Sequence, residues 1–471
     1  MEVKFRKAAL WVLACGVILR VALALVNDDA NDDHMSVIRI IAYENRMPER
    51  GEVKEAFQPK LYHATVAVLL KVVRPQSKRA QMILAQMVSC AAGILTLLLA
   101  YRFFMGEVEV SEKVRFISFA MLALNPPLIG INGQATNDSF VILFASLAFY
   151  FAWLFFRSQR TSDFCWMSTF AILAGLSKGN GLVIFVALLA VFAMAVGWTR
   201  ENYDLRRSRA ALYAVIFLLS YSALVPTLGP YWTHYRRYGS AFAINQEPDP
   251  FPVSSLAESL GTFRIGELLR NPVIKKQPDN IHPVTQTSLA SELYGRAHFV
   301  HFDSWPPTWQ LPNWQSTRER EWISSVISND GRLIFLCALL PTALMLAGLL
   351  RSLISAGRMF VRRHQAPKLR LTDWLLLFTT VGYILFIVAV RLRFRDFGAM
   401  KAIYVFPGLL GFLTLFAREC DRFYALCMQK RILQLSADTI IMALLFFYVL
   451  DVTALIGQLT FSLTSSFLHA T

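Results

Sequence analysis

Charge is scarce in this sequence. Of 471 residues only 17% are Asp, Glu, Lys or Arg, against 55% hydrophobic, and mean hydropathy is +0.44, which excludes an ordinary soluble domain of this length. Cysteines are few: Cys15, Cys90, Cys165, Cys337, Cys420 and Cys427 form no CxxC pair. All six fall in apolar runs or in segments assigned to the inner side, so no disulfide framework is indicated for the outer side. No phosphate-cradling glycine loop, Ser-His-Asp arrangement, fixed-period repeat or low-complexity tract is present. The first apolar run ends in LALVNDDAND without a small-residue cleavage site, and Arg20 interrupts it, so it reads as a retained span rather than a leader.

What the chain has instead is long apolar runs, of the roughly 20 residues that cross a bilayer as helices. Eleven are expected, near 8–26, 82–104, 114–130, 139–156, 164–176, 181–198, 210–229, 332–350, 372–390, 402–417 and 432–455. The fifth is short, and around Ser177-Lys178-Gly179-Asn180 it also reads as one bent element with the sixth. Residues 60–73, KLYHATVAVLLKVV, are too short to span and are flanked by Lys60, Lys71 and Arg74, which suits an interfacial helix. The fold expected is an all-α polytopic membrane protein.

Basic residues in short loops favour the cytoplasmic side. A cytoplasmic N-terminus puts Lys4, Arg6, Lys7, Arg157, Arg160 and the basic runs 200–209, 351–370 and 418–431 inside. The net charge of +15 then answers to anionic lipid headgroups, and no nucleic-acid partner is read. Outside fall residues 27–81, the loop 131–138, a segment 230–331 and the loop 391–401. The chain divides accordingly into an N-terminal membrane module 1–229 that includes the first outer loop 27–81, an outer loop or small subdomain 230–331, and C-terminal membrane helices 332–471. Within the insertion, 255–270 and 317–328 have helical patterns.

The first outer loop opens on NDDANDDH, with Asp28, Asp29, Asp32, Asp33 and His34 directly after an apolar run. A solvated acidic loop accounts for the aspartates alone. Their neighbourhood adds Gln58-Pro59-Lys60-Leu61-Tyr62-His63, at a spacing that leaves room for one helix and a turn at 48–51, so the two ends can fold back on each other. The second outer loop, NGQATNDSF, places Asn137 and Asp138 before another apolar run. Asp138 there suits a helix N-cap, compatible with a site role. Asn137-Asp138-Ser139 matches a glycosylation sequon but lies at a membrane boundary.

The loop RLRFRDFGAMKAIYVFP breaks the positive-inside pattern with Arg391, Arg393, Arg395 and Lys401. Snorkelling side chains are one explanation. A phosphate site is the other, because guanidinium matches phosphate oxygens bidentately. Lys178, at an outer turn, is either a further cation for that site or a structural turn lysine. A sugar on a polyisoprenyl phosphate has a leaving group that is already anionic, so one carboxylate base suffices. The base takes the acceptor hydroxyl's proton, and the single displacement inverts the anomeric centre. His298, His301 and Asp303 form only a weak metal pattern; no metal ligand set is assigned and no cofactor is required, with a divalent cation left open.

On these residues the chain resembles the GT-C membrane glycosyltransferases, of the glycosyltransferase family 39 kind that includes protein O-mannosyltransferases and aminoarabinose transferases. Asp32-Asp33 matches the family's acidic pair in the first outer loop, and Gln58 to His63 matches in part its Pro-Pro-Leu-Tyr-Tyr-like motif. The loop with Asp138, the LSKG at Lys178 and the Tyr-x-x-Pro of Tyr404 to Pro407 are similar in order and spacing. The resemblance covers 8 to about 200 well and 390–417 more loosely. It implies a GT-C-like bundle and Asp32 as catalytic base, with Asp33 beside it. Lys60, Arg391, Arg393, Arg395 and Lys401 are then the donor-phosphate cations, and His34, Gln58, Tyr62, His63, Asn137, Asp138, Lys178 and Tyr404 supporting residues. It also implies a hexosyltransferase of the EC 2.4 type, working from dolichyl- or undecaprenyl-phosphate sugar to an acceptor protein, lipid or glycan on the non-cytoplasmic face. A bacterial inner membrane is favoured over the endoplasmic reticulum. The departures are Lys60 for the second proline, His63 for the second tyrosine, and Ile403 where such enzymes often have Arg. The segment 230–331 matches nothing named; Trp305, Trp309 and Trp314 are read as acceptor-stacking or interface-anchoring. The alternative, a multi-pass transporter or lipid flippase, expects ionisable residues in mid-span and two similar halves.

Overall fold

The computed structural model describes residues 2–27, 33–49, 51–53, 55–198, 207–224, 232, 235–236, 260–273, 288–302, 317–361, 369–393, 401–427 and 430–470. Among these residues every regular element is a helix. We number them α1 (Glu2–Val26), α2 (His34–Arg39), α3 (Leu61–Val73), α4 (Lys78–Arg102), α5 (Glu112–Ala123), α6 (Pro126–Asn132), α7 (Asp138–Ser158), α8 (Thr161–Ser177), α9 (Leu182–Trp198), α10 (Arg207–Ser220), α11 (Ile265–Arg270), α12 (Leu289–His298), α13 (Thr317–Val361), α14 (Leu371–Arg393), α15 (Leu409–Leu426) and α16 (Arg431–Ala470).

Each of the eleven apolar runs overlaps a described helix, that at 210–229 only as far as residue 224, but length separates them. Among the described residues seven helices are long and apolar enough to cross a membrane, and the bent pair α5–α6 makes an eighth. The others are α8 with 17 residues, α10 with 14, and α15, whose last turns carry Arg418, Glu419, Asp421 and Arg422. The chain is an integral membrane protein. α3 is a short apolar helix lying beside α4 and α8.

Local sequence explains the breaks. The 47° bend between α5 and α6 comes at Asn125, whose side chain accepts from Leu128 N at 2.9 Å and so caps a helix that Pro126 and Pro127 can begin but not continue from α5. α8 and α9 are separate: Lys178 is extended, and a 3-10 turn, Gly179–Gly181, reverses the chain. Gly181 has no substitute there, since a Cβ would lie 2.1 Å from the Ala174 carbonyl oxygen.

α7 forms the centre of the bundle, packed by α8, α4 and α14, with α1 against α4 and α5, and α13 against α15 and α16. Arg20, fully buried in α1, serves this packing. It donates at 2.9 Å to Asn132 Oδ1 and to the carbonyls of Gly16 and Ala123, tying α1 to α5 and α6. α13 runs unbroken through residue 331, where the insertion was expected to end. Residues 298–301 of the insertion dock on the bundle: Val300 N donates to Asp451 Oδ2 of α16 at 2.8 Å, His301 meets the same carboxylate, and His298 contacts Tyr448 and, at 3.1 Å, Thr342. Alternation of direction along the chain gathers residues 26–27, 78, 132–138, 177–182, 296–302 and 401–406 at one end of the bundle.

Candidate active site

At that end α7 begins with Asp138, and the turn after α8 presents Lys178. The Lys178 ammonium donates to both Asp138 oxygens at 2.7 Å, and Thr136 Oγ1 donates to Asp138 Oδ2 at 3.0 Å. The pair is enclosed, with the Asp138 side chain 3% and the Lys178 side chain 11% exposed. The expected N-cap role is not what the carboxylate does: Asp138 is the first helical residue, and its own N–H donates to Thr136 Oγ1 at 3.3 Å. It still places negative charge in the first turn, where the helix dipole favours it.

The ion pair lies on the wall of a cavity of about 60 Å³ lined by Pro127, Ile131, Gln134, Thr136, Asp138, Lys178, Arg296, Phe299, Val300, Lys401, Ala402, Ile403, Tyr404 and Phe406. Three cations therefore face it from three places in the chain. Arg296 is held by a buried ion pair to Glu292 one turn back in α12, at 2.7 Å. Lys178 Nζ also sits 5.4 Å from the centre of the Tyr404 ring, and Asn180 Nδ2 donates to the Tyr404 carbonyl at 3.3 Å. By the smallest volume that admits a water, the cavity holds roughly four water-sized groups.

The first loop is bonded to this wall. Tyr62 Oη donates to the Ala85 carbonyl at 3.0 Å and lies 3.3 Å from Ser89 Oγ, which donates to the Thr136 carbonyl at 3.1 Å. Burial pushes the Tyr62 hydroxyl up, so it stays protonated and able to donate. Gln58 accepts from Asn137 Nδ2, which also donates to the Ser177 carbonyl at 3.2 Å. Asn137 is fully buried, which leaves its sequon inaccessible. His34 Nδ1 and His63 Nε2 are 2.9 Å apart, both rings buried. Burial, then His34 and Lys60, hold the His63 imidazole well below its usual range, hence neutral.

Of the expected phosphate cations, the described ones are not all at the cavity. Lys60 turns its ammonium onto the carbonyls of Glu55, Ala56 and Gln58 at 3.2, 2.7 and 2.6 Å, where burial brings its pKa down to about 8. Arg391 is buried at the end of α14 and does not line the cavity, and Lys401 does. The Arg393 side chain, Arg395, Asp32, Asp303 and the tryptophans 305, 309 and 314 lie outside the described residues. Asp33 is exposed, and its carboxylate accepts from Ser36 in the first turn of α2. His298 and His301 engage different partners, and among the described residues no trio of His, Cys, Asp or Glu is gathered for a metal. Arg296, Glu292, Ser89 and Thr136 were missed. The only signal available was Glu292 and Arg296 at i,i+4 in the pattern of a short helix.

The structure is thus a helical membrane bundle with a charged cavity at one end, lined by the second outer loop, the turn after α8, part of the insertion and the segment before α15. Residues 71–235 match the family model described as dolichyl-phosphate-mannose-protein mannosyltransferase. The fold is similar to an oligosaccharyltransferase, AglB from Archaeoglobus fulgidus, in complex with an inhibitory peptide and a dolichol-phosphate, with a TM-score of 0.52 at 13% identity, covering 96% of this chain and 56% of that one. ArnT from Cupriavidus metallidurans, bound to undecaprenyl phosphate, is also matched, at 14% identity and a TM-score of 0.37, over 88% of this chain and 77% of that one. The chain thus spans little more than half the length of the archaeal structure. No curated protein matches.

Proposed function

We propose that this protein is an inverting glycosyltransferase that moves a sugar from a polyisoprenyl-phosphate donor to an acceptor hydroxyl on the non-cytoplasmic face of the membrane. The observation that carries the reading is the cavity faced by Lys178, Arg296 and Lys401 where the apolar bundle ends. A lipid-linked phosphate is the anion that reaches such a place with its tail still in the bilayer. The segment shared with dolichyl-phosphate-mannose-dependent transferases supports the same donor class.

In this mechanism Asp32, next to the exposed Asp33, takes the proton from the acceptor hydroxyl. That oxygen attacks the anomeric carbon, the bond from that carbon to the phosphate oxygen breaks, and the polyisoprenyl phosphate leaves with the electron pair. The cations meet the charge that develops on it, which is where preorganised electrostatics contribute most. Asp138 keeps Lys178 aimed into the cavity. The N-terminus is cytoplasmic and the membrane a bacterial inner membrane. Donor identity is dolichyl- or undecaprenyl-linked, and the acceptor is a protein, lipid or glycan.

The transporter alternative gains nothing from Arg20, whose three bonds are structural. The test is transfer of labelled sugar from a panel of polyisoprenyl-phosphate sugars to membrane extract by wild type and Asp32→Asn. Loss of transfer with donor binding retained supports Asp32 as base. Absence of both transfer and donor binding across the panel refutes the reading.

A further inference from the structure

The two histidines of the first loop have no part in the chemistry above, yet they are the buried polar contact between its two halves. His34 opens α2 immediately after Asp33, and His63 lies in the first turn of α3. Their facing nitrogens are 2.9 Å apart, and Tyr62 meets His34 and His63 edge-on at 6.2 and 5.7 Å between ring centres. At the far end of the same two segments Lys71 of α3 donates to Asn45 Oδ1, beyond the π-helical turn Ile40–Glu44 that continues α2. α2 is thus fixed to α3 at both ends, and α3 is fixed to the cavity wall through Tyr62, Ser89 and Thr136.

We propose that the His34–His63 hydrogen bond is a latch that holds the start of α2, and with it Asp33, against α3 and so against the cavity wall, which makes both histidines positioning residues for the transfer reaction. This rests on the function proposed above. A bond between imidazoles needs one N–H and one lone pair, so it survives a first added proton and breaks with the second. The groups around it oppose even the first. Lys60 at the start of α3 and Lys178 after α8 are cations. Tyr62 and, from α4, Gln86 and Ser89 are neutral. The Asp33 carboxylate is engaged by Ser36, Glu55 by Gln58, and Arg39 by Gln81. The latch is therefore a neutral one, closed at neutral pH and opened by acid.

The geometry gives each histidine its own mimic. A glutamine amide reaches the Nε2 position of His63, and leucine fills similar volume with no polar atom. In full-length protein in liposomes, His63→Leu is expected to lower kcat about tenfold with donor KM within about twofold, the effect of losing one buried hydrogen bond in the transition state. His63→Gln is expected to keep kcat within about threefold and to shift the acid limb of the kcat profile, because its amide does not titrate. A Leu variant with wild-type kcat, or a Gln variant as slow as the Leu variant, overturns the proposal. Hydrogen exchange over residues 34–39 gives a readout independent of chemistry: faster in His63→Leu, unchanged in His63→Gln. If wild type transfers nothing from any donor, the functional reading fails and exchange alone decides the latch, unchanged rates in the Leu variant overturning it. His34→Leu, which cuts the same bond from the other side, replaces His63→Leu if that protein does not fold.

Discussion

Asp138→Asn isolates the electrostatics of the cavity wall. The asparagine keeps an oxygen for Thr136 Oγ1, so what is lost is the charge facing an ammonium now held by two bonds of 2.7 Å. Breaking a buried pair from one side typically costs about 3–5 kcal/mol. A ceiling follows from the option of neutralising the lysine, which for an ordinary lysine of pKa about 10.4 costs about 4 kcal/mol at pH 7.5, at about 1.36 kcal/mol per unit. The expected loss at pH 7.5 is therefore about 3–4 kcal/mol. At pH 9.5 the ceiling falls to about 1.2 kcal/mol, so the gap between variant and wild type should close substantially. Thermal unfolding of the purified protein at the two pH values reads this directly. A variant as stable as wild type at pH 7.5, or a gap that does not narrow at pH 9.5, would refute the assignment of a buried, charge-compensated pair. Asp138→Leu with Lys178→Met should recover stability, since a well-packed apolar pair often equals a buried salt bridge, while transfer stays lost.

Gly181→Ala forces a Cβ to 2.1 Å from a backbone oxygen and should prevent stable folding, whereas Gly197→Ala, with nothing within 4 Å, should be neutral or slightly stabilising; detergent-solubilised yield and melting separate them. Arg20→Leu leaves the acceptors Asn132 Oδ1, Gly16 O and Ala123 O without their donor, and should cost about 1–3 kcal/mol for each group left unsatisfied; melting no lower than wild type would contradict that role. Because the folded pKa of Lys60 is down to about 8, the unfolded chain holds its proton over a window where the folded one does not, and first-loop stability should rise with pH from about 8 toward the ordinary lysine value of about 10.4. Intrinsic-rate-corrected exchange at the Ala56 and Gln58 amides reads this, and Lys60→Met should abolish the dependence.

Hydropathy alone located the helices, because a bilayer-crossing segment must satisfy its backbone internally and declare itself over some 20 consecutive residues. It did not measure them: α8 stops at the extended Lys178, α10 gives way to a 3-10 turn after Ser220, and α15 starts only at Leu409 and carries the charges at 418–422 in its last turns. The residues around Asp138, Lys178 and Tyr404 were legible as polar groups at the ends of apolar runs, which is a local property. Their partners were not.

What the sequence by itself determined is the class of molecule and which polar groups stand at the edge of its apolar segments. What only the tertiary structure decided is which cation each carboxylate meets. Asp138 pairs with a lysine 40 positions on, Arg296 reaches the cavity because Asp451 and Tyr448 hold the segment beside it, and Lys60 turns away to three carbonyls. Burial raises the cost of an unpaired charge, so the partner is chosen by packing, and packing brings together residues that a one-dimensional reading keeps far apart.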